Sequence, residues 1–100
     1  MTHARLDEAA IAAALAALPG WSGDVTRLRR TYHFGGFVEA MAFMSAAMMP
    51  IVALDHHPEW SNIYDRVHVE LTTHDAGGVT TRDVELAGRL EQLASLWPRR

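Results

Sequence analysis

The sequence predicts an α+β domain in which an antiparallel sheet carries helices on one of its faces. Three stretches have the apolar spacing of helices, and four shorter stretches have the character of strands. Their order is helix, strand, strand, helix, strand, strand, helix, and hairpin pairs separated by helices are typical of α+β domains. The chain of 100 residues has the length of one domain, which we predict to span residues 1–100.

The first half of the chain is predicted to contain a helix and a hairpin. Residues 7–18 have apolar side chains at helical spacing, and Pro19 ends the helix. Residues 21–24 and 28–34 are the predicted strands. The second strand alternates between an apolar side with Leu28, Tyr32 and Phe34 and a polar side with Arg27, Arg29 and His33. Arg30 breaks this alternation, and we interpret the arginine cluster as part of a solvated strand face.

A second helix is predicted over residues 37–54. Its apolar face consists of Phe37, Met41, Met44 and Met48, with Ala40, Phe43 and Ala47 alongside. This methionine-rich face fits either the domain core or a contact between subunits. Pro50 cannot donate a hydrogen bond to the carbonyl of Ala46, so we expect it to kink the last turn or end the helix early.

The last part of the chain is predicted to form two strands, over residues 60–64 and 67–73, and a helix over residues 81–96. The strand over residues 67–73 alternates clearly, with Val67, Val69, Leu71 and Thr73 on one face and His68, Glu70, Thr72 and His74 on the other. Thr80 and Asp83 have the spacing of a capping box at the start of the last helix.

Composition excludes several classes of function. The formal net charge of −3 argues against a nucleic-acid surface. The absence of cysteine excludes thiolate metal sites and thiol catalysis and fits a reducing compartment. No apolar run reaches about 18 residues without a charge or a helix breaker, and the first residues lack the pattern of a secretory signal. We therefore expect a cytoplasmic protein with no membrane span.

Three histidines occupy positions that folding alone does not demand. His56 and His57 are adjacent, and Pro58 restricts His57 to extended geometry. Neighbouring side chains in an extended chain point in opposite directions, so these two histidines are expected to differ in role. His74 is predicted to end the strand-like run, on the polar side of that strand and beside the turn at Gly77. Imidazoles titrate near neutral pH, and a cluster of them around a cleft suits proton transfer to an organic substrate.

Simpler interpretations of these residues stay open at this point. His56 and His57 could form only a connector between a helix and a strand, and Asp83 could be only an acid at a helix start. A metal site is a sharper alternative, but the spacing of the three histidines matches no usual metal motif. The remaining histidines are interpreted as solvated or as cross-strand neighbours; they are His3, His33 and His68.

Two runs in the second half of the chain form a specific pattern, HHPEW at residues 56–60 and NIYDRVHVELTTHDAGGVTTRD at residues 62–83. The chain resembles the pterin-4a-carbinolamine dehydratase family in these runs, in PGW after the first helix, in the strand ending YHF and in the helix carrying FMSAA. The resemblance implies a four-stranded antiparallel sheet with three helices on one face, assembled as homodimers or homotetramers. It also implies dehydration of a pterin-4a-carbinolamine, the product of an aromatic amino acid hydroxylase, without a metal or a bound cofactor.

The resemblance assigns the three active-site histidines to His56, His57 and His74 and the associated acid to Asp83. We hypothesise that His57 and His74 transfer protons and that His56 binds and orients the pterin edge. Asp83 would fix a histidine tautomer or meet a pterin nitrogen. Substrate binding is expected to involve His56, Trp60 and Thr73.

This chain departs from the family pattern at the end of the second helix. Some members carry Glu four residues before the first active-site histidine, where this chain has Val52, and Pro50 is unexpected inside that helix. These departures affect the wall of the substrate pocket that the end of this helix is expected to form, more than the chemistry of the histidines. The alternative function is a binding or assembly module on the same fold, either a dimerisation partner of a transcription factor or an assembly factor of a carbon-fixing enzyme. A histidine-based metal carrier is a third possibility.

Overall fold

The computed structural model describes residues 4–98, which form three α-helices and a four-stranded antiparallel sheet; His3 lies outside this range. The helices are α1 (Glu8–Ala16), α2 (Phe37–Leu54) and α3 (Thr81–Ala94). The strands are β1 (Ser22–Gly23), β2 (Leu28–His33), β3 (Glu59–Ile63) and β4 (Arg66–Leu71). The predicted order and the α+β class are confirmed.

The strand order in the sheet is β1-β2-β4-β3, so β2 and β4 are the interior strands. Leu28 lies opposite Leu71 in the β2–β4 pair, and Trp60 lies opposite Val69 in the β3–β4 pair. Residues directly opposite each other share a sheet face. One face of the sheet is therefore apolar, as the alternation along residues 28–34 and 67–73 predicts.

The helices cover that apolar face and form the core with it. Fully enclosed side chains from the two interior strands and the two long helices include Leu28, Tyr32, Val67, Val69, Leu71, Ala40, Phe43, Ala47, Leu86 and Leu90. Burial of each large apolar side chain favours folding by about 1.5–3 kcal/mol. The opposite sheet face carries mainly polar and charged side chains, together with the exposed Ile63, and no helix within residues 4–98 covers it.

Pro50 does not end α2 early, so that part of the prediction is wrong. The helix continues to Leu54, and Pro50 is buried on its core side. Asp55 then adopts a left-handed conformation with φ of 48°, and its N–H donates to the carbonyls of Ile51 and Val52. Packing of the helix against the core outweighs the lost hydrogen bond at Pro50, because both turns around it bury apolar side chains.

The apolar residues of α2 lie on two sides of the helix, one facing the core and one facing outwards. Ala40, Phe43, Ala47 and Ile51 face the core. The apolar residues on the outer side are each 39–76% exposed; they are Phe37, Val38, Met41, Met48, Met49 and Val52. The core interpretation is therefore wrong for Phe37, Met41 and Met48 and holds for Met44, which packs against the core. The contact between subunits stays a prediction. By length and a mean hydropathy of 1.8, α2 could also cross a membrane, although a helix with one side in a domain core passes the same test.

The interpretation of the arginine cluster as a solvated face is wrong for Arg30, which lies on the apolar side of its strand as its parity with Leu28 and Tyr32 indicates. Arg30 lies on the core side, where Glu91 Oε1 accepts hydrogen bonds from Arg30 Nε at 2.8 Å, Tyr32 Oη at 2.8 Å and Trp21 Nε1 at 2.9 Å. Burial works against ionisation of Glu91, but the bonds from Arg30 and Tyr32 outweigh it and lower the pKa of Glu91. This cluster joins α3 to β2.

Candidate active site

His56 and His57 follow the left-handed turn at Asp55 and differ in environment, as their adjacency predicts. The backbone N–H of His56 donates to the carbonyl of Ile51 at 3.2 Å, which holds the connector against the end of α2. The His56 side chain faces inwards and the residue is 8% exposed, whereas His57 is exposed. Pro58 then leads into β3.

Asp83 is the buried centre of the site and is fully enclosed. Its Oδ1 contacts His56 Nε2 at 2.5 Å. Its Oδ2 accepts hydrogen bonds from Thr73 Oγ1 at 2.8 Å and from the backbone N–H of Thr80 at 2.9 Å. Thr80 and Asp83 form the predicted capping box of α3. The first turn of a helix and these charge-assisted bonds both stabilise a carboxylate.

Two threonine hydroxyls extend this network beneath the carboxylate. Thr73 Oγ1 lies 2.9 Å from Thr80 Oγ1. Since Thr73 donates its proton to Asp83, Thr80 must donate to Thr73. The Thr80 hydroxyl oxygen also accepts from the backbone N–H of Arg82 at 3.2 Å. Each hydroxyl in the chain thus has a fixed direction, and Asp83 has little freedom to rotate.

The network also fixes the tautomer of His56. Asp83 as a carboxylate can only accept, so Nε2 of His56 carries the proton that it donates. No buried side-chain nitrogen or oxygen in the described part of the chain lacks a hydrogen-bond partner. Nδ1 of His56 has no partner among residues 4–98, so it reaches the surface. A lone pair on a rigidly held imidazole is therefore presented outwards.

Arg82 holds the two halves of the site together, and the sequence analysis missed it. Its Nη2 donates to the carbonyl of Asp55 at 2.5 Å and to that of Leu54 at 3.2 Å. These carbonyls end α2, whose last turn contains no basic residue of its own. The lack of a basic residue in the last turn of α2 was the available signal, because it indicates that a side chain from another element must donate to the terminal carbonyls. Arg82 is adjacent to Asp83, so the same turn of α3 binds both the connector backbone and the His56 side chain.

His74 lies in a short turn and not at the end of a strand, which corrects the prediction. Strand β4 ends at Leu71, Thr73 forms an isolated bridge with Gly78, and His74–Ala76 is a 3₁₀ turn. Gly77 closes the turn at φ of 74°, with its N–H bonded to the carbonyl of His74 at 3.0 Å. The His74 side chain is 80% exposed, and its Nε2 lies 3.7 Å from Glu59 Oε2.

The structure thus joins His56, Thr73 and Asp83 in one buried cluster, while His57 and His74 lie at the surface. Trp60 is half-buried on the core face of β3. A meeting of all three imidazoles around one substrate stays a prediction. Within residues 4–98 no group of three or more His, Cys, Asp or Glu side chains could hold a metal ion.

Residues 4–93 match the sequence profile of the family described as pterin 4 alpha carbinolamine dehydratase. The chain belongs to this family. A relative from Opitutus terrae, provisionally named pterin-4-alpha-carbinolamine dehydratase, is 53% identical over 89% of this chain and 93% of its own length. A relative from Thermomicrobium roseum with the same provisional name is 49% identical over 92% and 99%.

Two solved structures share the fold of this family member. The crystal structure of a transcriptional coactivator/pterin dehydratase from Brucella melitensis has a TM-score of 0.86 at 40% identity, covering 90% of this chain and 98% of that one. A pterin dehydratase-like protein identified as a RuBisCO assembly factor in the alpha-carboxysome has a TM-score of 0.61 at 21% identity, covering 74% and 86%. The second likeness shows the fold alone.

Proposed function

We propose that this family member dehydrates 4a-hydroxytetrahydrobiopterin to quinonoid dihydropterin and water by histidine acid–base catalysis. The reaction would recycle the pterin used by an aromatic amino acid hydroxylase in the cytoplasm. The observation that carries the proposal is the buried pair of His56 Nε2 and Asp83 Oδ1 at 2.5 Å. Burial of a carboxylate costs free energy unless it is paired and fully hydrogen-bonded, so a buried pair of this kind is a candidate for a functional role.

The reaction requires two proton movements. The bond from C4a to the hydroxyl oxygen breaks, and the oxygen takes up a proton and leaves as water. A ring nitrogen loses a proton, and its electron pair completes the quinonoid double bonds. Positioned general acids and bases accelerate such steps by about 10²–10⁴-fold each. Imidazoles can perform either transfer, and neither requires a metal or a bound cofactor.

The environments of the histidines support a division of roles. His56 is held by Asp83 and exposes Nδ1, so it suits binding of a pterin N–H. His57 and His74 are exposed and can exchange protons with water between turnovers. Thr73 uses its hydroxyl on Asp83, so it supports the site through the carboxylate. Direct contacts of Trp60 and Thr73 with the substrate remain part of the proposal.

Self-association as a homodimer or homotetramer is also proposed, through the outer side of α2. Its exposed residues follow the spacing of a helix–helix seam, at Val38, Met41, Ser45, Met48 and Val52. The same seam supports the second candidate function, a binding module for another protein. The relative from Brucella melitensis carries both a coactivator and a dehydratase role in its name. Val52 belongs to this seam, so the glutamate present in some members is replaced here by a contact residue.

The test follows the decay of synthetic 4a-hydroxytetrahydrobiopterin by stopped flow at neutral pH. We expect the folded protein to accelerate decay and the H56A and H74A variants to lose at least about tenfold in turnover. H68A is the matched control, because His68 bonds Thr31 and Glu70 on the open sheet face. Wild-type protein that gives no acceleration while folded would overturn the proposal in favour of the binding module.

A further inference from the structure

Glu59 lies between a fixed arginine and the exposed imidazole of His74. Glu59 Oε2 is 2.9 Å from Arg27 Nη1 and 3.7 Å from His74 Nε2. We infer that Glu59 is a positioning residue for His74, held in place by Arg27. This inference rests on the proposed function, because it assumes that His74 transfers protons during dehydration.

The sheet register explains why Glu59 does not swing away. Glu59 in β3 lies directly opposite Glu70 in β4 on the open face. Like charges at this position repel. Arg27 relieves the repulsion, since its Nη1 also lies 3.4 Å from Glu70 Oε1. The hydrogen bond with Glu59 raises the pKa of Arg27, so the bridging cation stays charged. The Glu59 oxygen that contacts His74, Oε2, is therefore the one that Arg27 holds.

His74 has a firm backbone and a free side chain. The turn at residues 74–76 is closed by backbone hydrogen bonds, from Ala76 N–H to the Thr73 carbonyl at 3.1 Å and from Gly77 N–H to the His74 carbonyl at 3.0 Å. The side chain is 80% exposed, and Glu59 is the acid that reaches it within residues 4–98. An exposed imidazole samples several rotamers unless a partner selects one.

The Glu59 carboxylate acts on the His74 side chain in two ways. It selects the rotamers that bring Nε2 towards β3, which leaves Nδ1 for the substrate or for water. It also stabilises the positive charge that the ring gains when it accepts a proton. Arg27 belongs to the turn between β1 and β2, so a residue far from the histidines in sequence contributes to the position of His74.

The test compares E59Q with E70Q in the dehydration assay. Both variants remove one acid from Arg27 and keep the side-chain shape, but Glu59 contacts His74 and Glu70 does not. We expect E59Q to lower kcat by about three- to fivefold with KM changed less than about twofold, because an exposed ion pair contributes at most about 1 kcal/mol, and E70Q to stay within about 1.5-fold of wild type. E59D should recover part of the loss, because the carboxylate charge is restored.

A double variant separates this inference from the proposed function. In the H74A background, E59Q should cause no further loss, because the group that it positions is gone. Full activity of H74A would overturn the role of His74 in the proposed function. A slow H74A together with a fully active E59Q, or equal losses in E59Q and E70Q, would overturn the positioning role of Glu59 alone. Circular dichroism of each variant confirms that it is folded.

Discussion

Replacement of Asp83 by Asn is the most direct test of the buried network. The amide has nearly the same shape, so its oxygen can still accept from Thr73 and from the Thr80 backbone. Its NH₂ group then faces His56 Nε2, where the carboxylate previously accepted a proton. Two donors cannot share that contact. His56 must therefore move its proton to Nδ1 and accept through Nε2.

The loss of folding free energy in D83N follows from the three hydrogen bonds whose acceptor is no longer a charged carboxylate. A hydrogen bond to a charged group contributes about 1.5–3 kcal/mol and a neutral one about 1 kcal/mol, while the amide is easier to bury than a carboxylate. We expect D83N to lower the free energy of unfolding by about 2 kcal/mol. Turnover should fall by about 10–100-fold, because Nδ1 of His56 becomes a donor where the substrate needs an acceptor.

Two measurements check this prediction. Urea unfolding followed by circular dichroism gives the stability, and ¹⁵N chemical shifts of the His56 ring report which nitrogen carries the proton. D24N is the control, since Asp24 Oδ1 also accepts hydrogen bonds from the backbone N–H groups of Thr26 and Arg27 but lies at the surface. The D24N variant should therefore lose less unfolding free energy than D83N. A D83N protein with wild-type stability and an unchanged His56 tautomer would refute the reasoning.

Two further predictions concern α3 and α2. The pKa of Glu91 lies below its ordinary value of 4.5, because bonds from Arg30 and Tyr32 outweigh burial. Ionised Glu91 therefore stabilises the fold above about pH 4.5, and this contribution is lost as pH falls through the lower folded-state pKa. The difference in unfolding free energy between wild type and E91Q should shrink from pH 7 to about pH 3; a constant difference would contradict it. Met48 is 55% exposed on the outer side of α2. If the chain self-associates through this side as proposed, M48K should leave the fold within about 0.5 kcal/mol of wild type but convert the oligomer to monomers in light scattering, whereas A13K on α1 should not. A monomeric wild type would contradict the proposed self-association, and an intact M48K oligomer would locate the contact elsewhere.

The elements of the fold could be predicted because their signals are local. Alternation along residues 28–34 and 67–73 depends only on the two-residue period of a strand, and it assigned the buried and open faces correctly. The capping box at Thr80 and Asp83 has a fixed spacing of three residues. Pro50 shows the limit of such rules, since packing over the whole of α2 outweighed one missing donor.

The candidate site could be predicted only in part. The opposite environments of His56 and His57 follow from the extended connector before Pro58. The clamp by Arg82 and the bridge from Arg27 through Glu59 to His74 join residues far apart in the chain, and no local spacing indicates them. The turn at residues 74–76 depends on where β4 stops pairing, which the alternating pattern does not mark.

The sequence by itself determined the element order, the buried strand faces and the residue types available for proton transfer, because periodicity and side-chain chemistry are properties of neighbouring residues. Only the tertiary structure decided that Asp83 is enclosed and faces His56 Nε2, and that Met41, Met48 and Met49 of α2 lie outside the core. An apolar side chain has the same pattern whether it faces its own domain or another chain. Burial and partner choice depend on which surfaces meet, and that is set by the packing of α2, α3 and the sheet together.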